Sequence, residues 1–97
     1  MIKSAGNRIS PQEIEDAAVA SGLVSEAVAL GLPDPQLGQK IALAVHGPEE
    51  RAVELEDHLK RTLPTFMHPR EIRWFQRFPL NPNGKVDRVA LRTEFVA

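Results

Sequence analysis

The chain reads QKIALAVH at residues 39–46, and this stretch decides the fold class. Ile41, Leu43 and Val45 fall on one face of an extended strand, and two alanines occupy the other face. Because both faces are apolar, the pattern predicts a strand in a sheet that is covered on both sides. The small alanines leave room for a helix to approach closely.

Helix and strand patterns alternate around this strand. Ser10 is placed to be the N-cap of the first helix, Pro11 occupies its first position, Glu13 completes a capping box, and Gly22 ends it. The other predicted elements are a hairpin within residues 1–9, strands over 24–32 and 71–75, and helices over 50–63 and 88–95. We therefore predict an α+β domain in which helices pack against a small three-stranded sheet, with an additional N-terminal two-stranded hairpin.

Composition excludes several classes of protein. The chain has 97 residues, of which 42% are hydrophobic and 26% charged, as in one soluble globular domain. The absence of cysteine excludes disulfides and thiolate nucleophiles, and the three histidines (46, 58 and 68) lack ligand spacing, so no metal site is predicted. No apolar run reaches the roughly 20 residues that a membrane span needs. Without a signal-peptide pattern, the predicted localisation is cytoplasmic.

Charge is unevenly distributed along the chain. Residues 1–50 carry three basic and seven acidic side chains, whereas residues 51–97 carry nine basic and six acidic ones. A polyanionic ligand would therefore meet the C-terminal half, although an uneven solvated surface also agrees with this count. Because the net charge is −1 and only four Phe and one Trp are present, no nucleic-acid partner is predicted.

Residues 79–88 read PLNPNGKVDR and predict a tight exposed turn. Asn83 and Gly84 both tolerate positive φ, Lys85 follows them at once, and Asp87 is placed to cap the final helix. Such a turn holds one ammonium group in a fixed place for a phosphate or a carboxylate. A turn that is merely solvated also agrees with these residues. The P-loop pattern GxxxxGK[ST] is absent, since Val86 stands where it requires a hydroxyl.

Four stretches resemble, in the right order, motifs of the adenylate-forming superfamily, which contains AMP-forming acyl-CoA synthetases and non-ribosomal peptide adenylation domains. Residues 80–88 resemble its last core motif, and residues 2–15 resemble the motif that follows its hinge. Residues 26–40 and 63–69 resemble its "EAAVVGVPDP…GE" strand pair and its "LPxYMxP" segment. The resemblance implies that residues 1–97 are the small C-terminal lid domain, with the large N-terminal domain absent and the isolated domain inactive.

The resemblance also implies a two-step ligase reaction. A carboxylate attacks the α-phosphate of ATP to give an acyl-adenylate and release pyrophosphate. The thiol of CoA or of carrier-protein phosphopantetheine then displaces AMP to give a thioester. The small domain is expected to rotate against the N-terminal domain of the same protein between the steps. ATP, Mg and CoA or phosphopantetheine are implied for the full-length enzyme, and no cofactor is expected to bind this domain alone. The alternative is a stand-alone, non-catalytic interaction module that binds a carrier protein through arginines of its basic half, Arg70, Arg73, Arg77, Arg88 and Arg92.

Site residues are carried over by position from the motifs. Lys85 is implied to be the catalytic lysine of adenylation. Its loop is supported by Asn83, Gly84, Asp87 and Arg88. The thiol-transfer face is implied to comprise Lys3, Ser4, Ala5, Gly6, Asn7 and Arg8. The chain departs from the family pattern at Ala5, where a glycine is common, and at Asn7, where an aromatic is often found, which leaves the thiol acceptor open.

Overall fold

The computed structural model describes residues 1–96, and within them five strands form one sheet. The strands are β1 (Ile2–Ser4), β2 (Asn7–Ile9), β3 (Glu26–Asp34), β4 (Gly38–His46) and β5 (Glu71–Trp74). The α-helices are α1 (Pro11–Ala20), α2 (Ala52–Thr62) and α3 (Arg88–Val96), and single 3₁₀ turns cover Glu49–Arg51 and Thr65–Met67. The α+β class predicted from the sequence is confirmed.

Strand β4 is the centre of the sheet. β3 pairs with it antiparallel along its whole length, from Asp34 opposite Gly38 to Glu26 opposite His46. On the other side, β5 runs parallel to residues 42–45, and β1 meets the start of β4 through the pair Ser4–Gly38. The chain reaches a parallel partner because α2 crosses over between β4 and β5.

Both faces of β4 are buried, as its two-sided apolar pattern predicted. Ile41, Leu43 and Val45 face a core cluster built with α1 and α2, to which Ile14, Ala18, Leu55 and Leu59 contribute. Ala42 and Ala44 are both 0% exposed and face a second cluster that α3 covers, with Val28, Leu30, Leu32, Phe78, Leu91 and Phe95. The alanines permit this close approach because they add little volume between the sheet and α3.

The prediction of a three-stranded sheet with a separate hairpin was wrong in its strand count. The β1–β2 hairpin continues the sheet, and its Ile2 and Ile9 are buried in the cluster beneath α1 and α2. The Ala5 N–H donates to the Leu37 carbonyl (2.9 Å), and the Lys3 N–H donates to Gln39 Oε1 (2.8 Å). These links join residues more than thirty positions apart, so no local sequence pattern reports them.

The start of α1 differs from the predicted capping box. Pro11 occupies the first turn, as predicted, but the Ser10 side chain makes no capping hydrogen bond. The Glu13 N–H donates instead to the Ser10 carbonyl at 3.2 Å. Backbone bonding and the fixed φ of Pro11 therefore begin the helix without the side-chain cap.

Candidate functional site

Lys85 lies on a closed corner between β5 and α3. An antiparallel bridge between Leu80 and Val86 brings the two sides of the corner together. The Asn81 N–H donates to the Lys85 carbonyl at 2.7 Å, the short bond expected where a tight turn closes. The corner is therefore a small ordered loop of defined shape.

The side chain of Asn81 organises the inside of this loop. Its Oδ1 accepts hydrogen bonds from the N–H groups of Asn83 (2.9 Å) and Lys85 (3.1 Å). Gly84 donates its N–H to the Asn81 carbonyl (2.9 Å) and has a φ of +80°, whereas Asn83 does not have positive φ. Of the two residues that tolerate the left-handed region, only Gly84 therefore adopts it. Asn81 was not predicted to have a role, although asparagine at the start of a turn often makes such hydrogen bonds to the backbone.

The Lys85 side chain is exposed. Among residues 1–96, no carboxylate forms an ion pair with its ammonium group. The charge is thus available to an anion from outside the domain. The hydrogen-bonded backbone of the corner fixes the position of the Lys85 Cα.

Asp87 connects the corner to α3 and caps that helix, as predicted. Its Oδ1 accepts a hydrogen bond from the Ala90 N–H (3.0 Å), and its own N–H donates to the Pro79 carbonyl (2.8 Å). Val86, next to it, packs against the core cluster that contains Phe78 and Leu91. The base of the corner is consequently held by both the helix cap and the core.

Arg88 is the first residue of α3, and its side chain reaches the outer edge of β3. Its Nη1 lies 3.5 Å from the Ala29 carbonyl, and its Nη2 lies 3.5 Å from Glu15 Oε2. The same Glu15 oxygen accepts the Ala29 N–H at 2.8 Å. No role was predicted for Glu15, because no pattern in the neighbouring sequence indicates that a glutamate on a helix is buried.

The turn of the β1–β2 hairpin has positive φ at both central residues, +51° at Ala5 and +83° at Gly6. This is the signature of a type I′ turn, whose twist matches that of the flanking strands. A Cβ added to Gly6 would meet no atom within 4 Å, so open space surrounds the turn at this point. Ala5 adopts a conformation that its Cβ disfavours.

The other residues of the predicted thiol-transfer face surround this turn. Lys3 and Arg8 are paired across the hairpin, and both are exposed. Ser4 pairs with Asn7, and it is buried with 7% exposure whereas Asn7 is half-buried. A cavity of about 80 Å³ lies beside the turn, and its lining includes Ser4, Ala5, Phe66, His68 and Arg70.

The β3–β4 turn on which this hairpin rests is organised by Asp34. Its Oδ1 accepts the N–H groups of Leu37 (2.8 Å) and Gln36 (2.9 Å). The backbone hydrogen bonds, that of Leu37 first and that of Gln36 second, hold the pKa of this carboxyl below its ordinary value. Since the Leu37 carbonyl accepts the Ala5 N–H, Asp34 indirectly orders the site at which the hairpin turn docks.

The structure does not bring the two predicted sites together. The hairpin is anchored through Ile2 and Ile9 in the cluster beneath α1 and α2. The Lys85 corner is anchored through Val86 and Phe78 in the cluster on the other face of the sheet. Two separate surfaces therefore carry the candidate residues.

Two of the five arginines considered for an acidic carrier protein are engaged within the domain. Arg73 donates to the Glu94 carbonyl, and its guanidinium carbon lies 5.8 Å from the centre of the Phe95 ring. Arg88 makes the contacts with Glu15 and Ala29 described above. All five arginines, including those at positions 70, 77 and 92, are exposed.

In residues 1–96, no three His, Asp or Glu side chains lie close enough to hold a metal ion. Two histidines instead contact backbone carbonyls, His46 through Nδ1 to Phe75 and His68 through Nε2 to Leu63, each at 2.8 Å. None of the helices in this part of the chain combines the length and apolar character that crossing a membrane requires.

Known proteins resemble this chain in both sequence and fold. A family model described as "AMP-binding enzyme C-terminal domain" matches residues 13–85, which include Lys85 but not the hairpin. The chain is 32% identical over 100 residues to the mitochondrial acyl-coenzyme A synthetase ACSM2A of Homo sapiens, covering 95% of this chain and 17% of that protein. It is 36% identical over 94 residues to the sulfoacetate–CoA ligase of Cupriavidus necator, covering 94% of this chain and 18% of that protein.

A solved structure also resembles this chain over nearly its whole length. The crystal structure of the Brucella canis acyl-CoA synthetase matches with a TM-score of 0.82 at 36% identity, covering 98% of this chain and 19% of that one. The chain thus spans less than a fifth of the length of each of these relatives.

Proposed function

Since the chain belongs to the family of AMP-binding enzyme C-terminal domains, we propose that it is the mobile lid domain of an AMP-dependent acid–thiol ligase of the acyl-CoA synthetase type. The large N-terminal domain of such a ligase would supply the acyl pocket and most of the nucleotide site. The observation that carries the proposal is the Lys85 corner, an ordered loop that presents an exposed ammonium group with no carboxylate partner among residues 1–96.

In the first half-reaction, Lys85 acts as an electrostatic catalyst. A substrate carboxylate and the α-phosphate of ATP are both anionic, so their approach is opposed by charge repulsion. An ammonium group placed between them offsets that repulsion and stabilises the charge that develops in the transition state. Lys85 supplies this charge without transferring a proton, and its position on an exposed loop suits a group that enters and leaves with domain motion.

The loop residues give Lys85 a defined starting point. Asn83 and Gly84 form the turn, Asp87 caps α3, and Arg88 joins the start of that helix to the body of the domain. These contacts favour the proposed role of the four residues in holding the loop in place. The Lys85 ammonium must lie between two reacting groups, and it would lose most of its effect if it were displaced.

In the second half-reaction, the hairpin Lys3, Ser4, Ala5, Gly6, Asn7 and Arg8 faces the incoming thiol of CoA or of carrier-protein phosphopantetheine. Without a side chain, Gly6 lets the backbone of the turn approach the pantetheine arm closely. The hairpin and the Lys85 corner are anchored on opposite faces of the sheet. That separation supports a rotation of the domain between the two half-reactions.

The proposed reaction uses ATP and CoA or phosphopantetheine as substrates of the whole protein, and the domain alone is inactive. Magnesium would accompany ATP in the full-length enzyme, and residues 1–96 provide no cluster of metal ligands of their own. The cytoplasmic localisation stays a prediction, to be tested by cell fractionation.

The direct test is acid-dependent pyrophosphate exchange by the full-length parent protein, measured with a panel of carboxylic acids. We expect exchange with at least one acid, and none from the 97-residue chain alone. A full-length protein that binds a carrier protein but exchanges pyrophosphate with no acid would support the interaction module instead.

The thiol-transfer face is tested separately with Gly6→Trp. The indole would obstruct the approach to the turn, so thioester formation from supplied acyl-adenylate should fall while pyrophosphate exchange stays unchanged. Val53→Trp is the matched control, because Val53 lies on α2 and is 72% exposed. Unchanged thioester formation by the Gly6 variant would refute the assignment of the hairpin.

A further inference from the structure

We propose that Glu15 and Arg88 are positioning residues for Lys85, through a contact with Ala29 at the outer edge of β3. We call the Glu15–Ala29–Arg88 contact the edge contact. This inference rests on the proposed role of Lys85 in adenylation, and it adds the residues that hold the Lys85 corner in a fixed place relative to the sheet.

The edge contact is a closed set of polar interactions among three elements. Glu15 lies on α1 and is 8% exposed, and its Oε2 accepts the Ala29 N–H at 2.8 Å. Arg88, at the start of α3, places Nη2 3.5 Å from the same oxygen and Nη1 3.5 Å from the Ala29 carbonyl. Both backbone polar groups of Ala29 are thereby satisfied by side chains.

The position of β3 explains why these side chains are needed. β3 is the last strand in the order β2–β1–β4–β3, so its outer edge has no neighbouring strand. At Ala29 the N–H and carbonyl that point outward are taken by Glu15 and Arg88 instead. Side chains that cover an edge in this way also prevent pairing with another chain.

The buried Glu15 carboxylate depends on its partners. A carboxylate with almost no exposure is unfavourable unless it is hydrogen-bonded and paired with a cation. The Ala29 N–H provides one hydrogen bond, and Arg88 provides the opposite charge. Removal of Arg88 therefore leaves the Glu15 carboxylate without its cation, whereas the Arg88 side chain, which is 54% exposed, stays solvated when Glu15 is removed. The need of the buried carboxylate for its cation favours a position of the start of α3 beside α1.

The edge contact bears on Lys85 because Arg88 directly follows the base of the corner. α1 covers one face of the sheet and α3 the other, so the contact joins the two layers around the edge of β3. The Asn81 bonds fix the internal shape of the corner, but they do not fix its orientation to the sheet. The packing of Val86, Leu91 and Phe95 provides that orientation, and the edge contact restricts it further at the outer edge of β3.

The first test measures order in the 97-residue chain. Glu15→Gln keeps an oxygen that can accept the Ala29 N–H but removes the charge that pairs with Arg88. We expect the ¹⁵N heteronuclear NOE of Gly84 and Lys85 to fall, while that of β4 residues stays constant. Glu54→Gln is the matched control, because it removes an exposed ion pair (Arg51 Nη2 to Glu54 Oε2, 2.6 Å) at the start of α2, a helix that takes no part in the edge contact. Unchanged NOE values at the corner in the Glu15 variant would overturn the proposal.

The second test measures the half-reactions of the full-length protein. Glu15→Gln should lower the maximal rate of pyrophosphate exchange by about tenfold to a hundredfold, the size expected for a displaced catalytic group. The KM for the acid should change little, and thioester formation from supplied acyl-adenylate should be unaffected. Arg88→Lys, which keeps the charge, should lose less than Arg88→Ala. Equal losses in both half-reactions, or equal losses in the two Arg88 variants, would contradict a positioning role.

The Lys85→Ala and Glu15→Gln variants together separate the catalytic role of Lys85 from the positioning role of Glu15. If Lys85→Ala leaves pyrophosphate exchange intact, the proposed role of Lys85 is wrong, while the NOE measurement still decides whether the edge contact orders the corner. If Lys85→Ala abolishes exchange and Glu15→Gln changes neither the NOE nor the rate, only the positioning role of Glu15 is wrong.

Discussion

Replacing Ala5 by glycine should stabilise the domain, because Ala5 holds a φ of +51° in the hairpin turn. The left-handed region costs a residue with a Cβ about 1–2 kcal/mol, whereas glycine adopts it freely. The greater freedom of glycine in the unfolded chain removes about 0.4–1 kcal/mol of that gain. The exposed Ala5 methyl contributes little burial. The two ranges therefore differ by about 0–1.6 kcal/mol, and their midpoints give a net gain of about 0.8 kcal/mol. For a domain of this size, a gain of about 0.8 kcal/mol corresponds to a rise in Tm of roughly 3–6 °C.

Two further variants separate turn strain from a general effect of glycine. Ala20→Gly makes the same substitution at the exposed end of α1, where helical φ favours alanine, and should lose about 0.5–1 kcal/mol. Gly6→Ala should also lower stability, since Gly6 has a φ of +83° although its surroundings are open. Calorimetric or fluorescence melting of the three variants measures all of these changes. An unchanged or lower Tm for Ala5→Gly would refute the conclusion that the turn is strained.

Three other changes, one of them with a matched control, test the anchoring of the two sites. Asp87→Ala removes the bond from the Ala90 N–H to the helix cap, and urea unfolding should show a loss of about 1 kcal/mol. Leu91→Ala, at a fully buried position of α3, should lose about 2–5 kcal/mol, whereas Val89→Ala, at a 79% exposed position, should change stability by less than about 0.5 kcal/mol. Because the folded pKa of Asp34 is lowered, its charge stabilises the fold fully above the ordinary carboxyl pKa and progressively less as the pH falls through the lowered value. The difference in urea midpoint between wild type and Asp34→Asn should therefore shrink on acidification, and a constant difference would contradict this.

The parts of the fold that could be predicted are those that residues close together in the sequence determine. The pattern of Ile41, Leu43 and Val45 against two alanines predicted a strand buried on both faces, and this is the position that β4 occupies. Pro11 predicted the start of α1, and Asp87 predicted the cap of α3. Each of these features depends on the conformational preference of a residue or on a short periodic pattern, both of which can be read from neighbouring positions.

The missed features depend on partners that are distant in sequence. Glu15 and Arg88 are 73 positions apart, so the burial of the carboxylate has no local signal. The hairpin joins the sheet through the residue pair Ser4–Gly38 and through two hydrogen bonds, from the Lys3 N–H to Gln39 Oε1 and from the Ala5 N–H to the Leu37 carbonyl. The functional role of Lys85 likewise has no local signal: its turn was predictable, but the adenylation role is implied by family resemblance.

The most direct test of the central proposal compares the two half-reactions of Lys85→Ala in the full-length protein. Pyrophosphate exchange should fall strongly, because the ammonium that stabilises the meeting of two anions is gone. Thioester formation from supplied acyl-adenylate should continue at the wild-type rate, since it uses the hairpin face. An equal loss in both half-reactions, or unchanged pyrophosphate exchange, would contradict the assignment of Lys85 to the adenylation step.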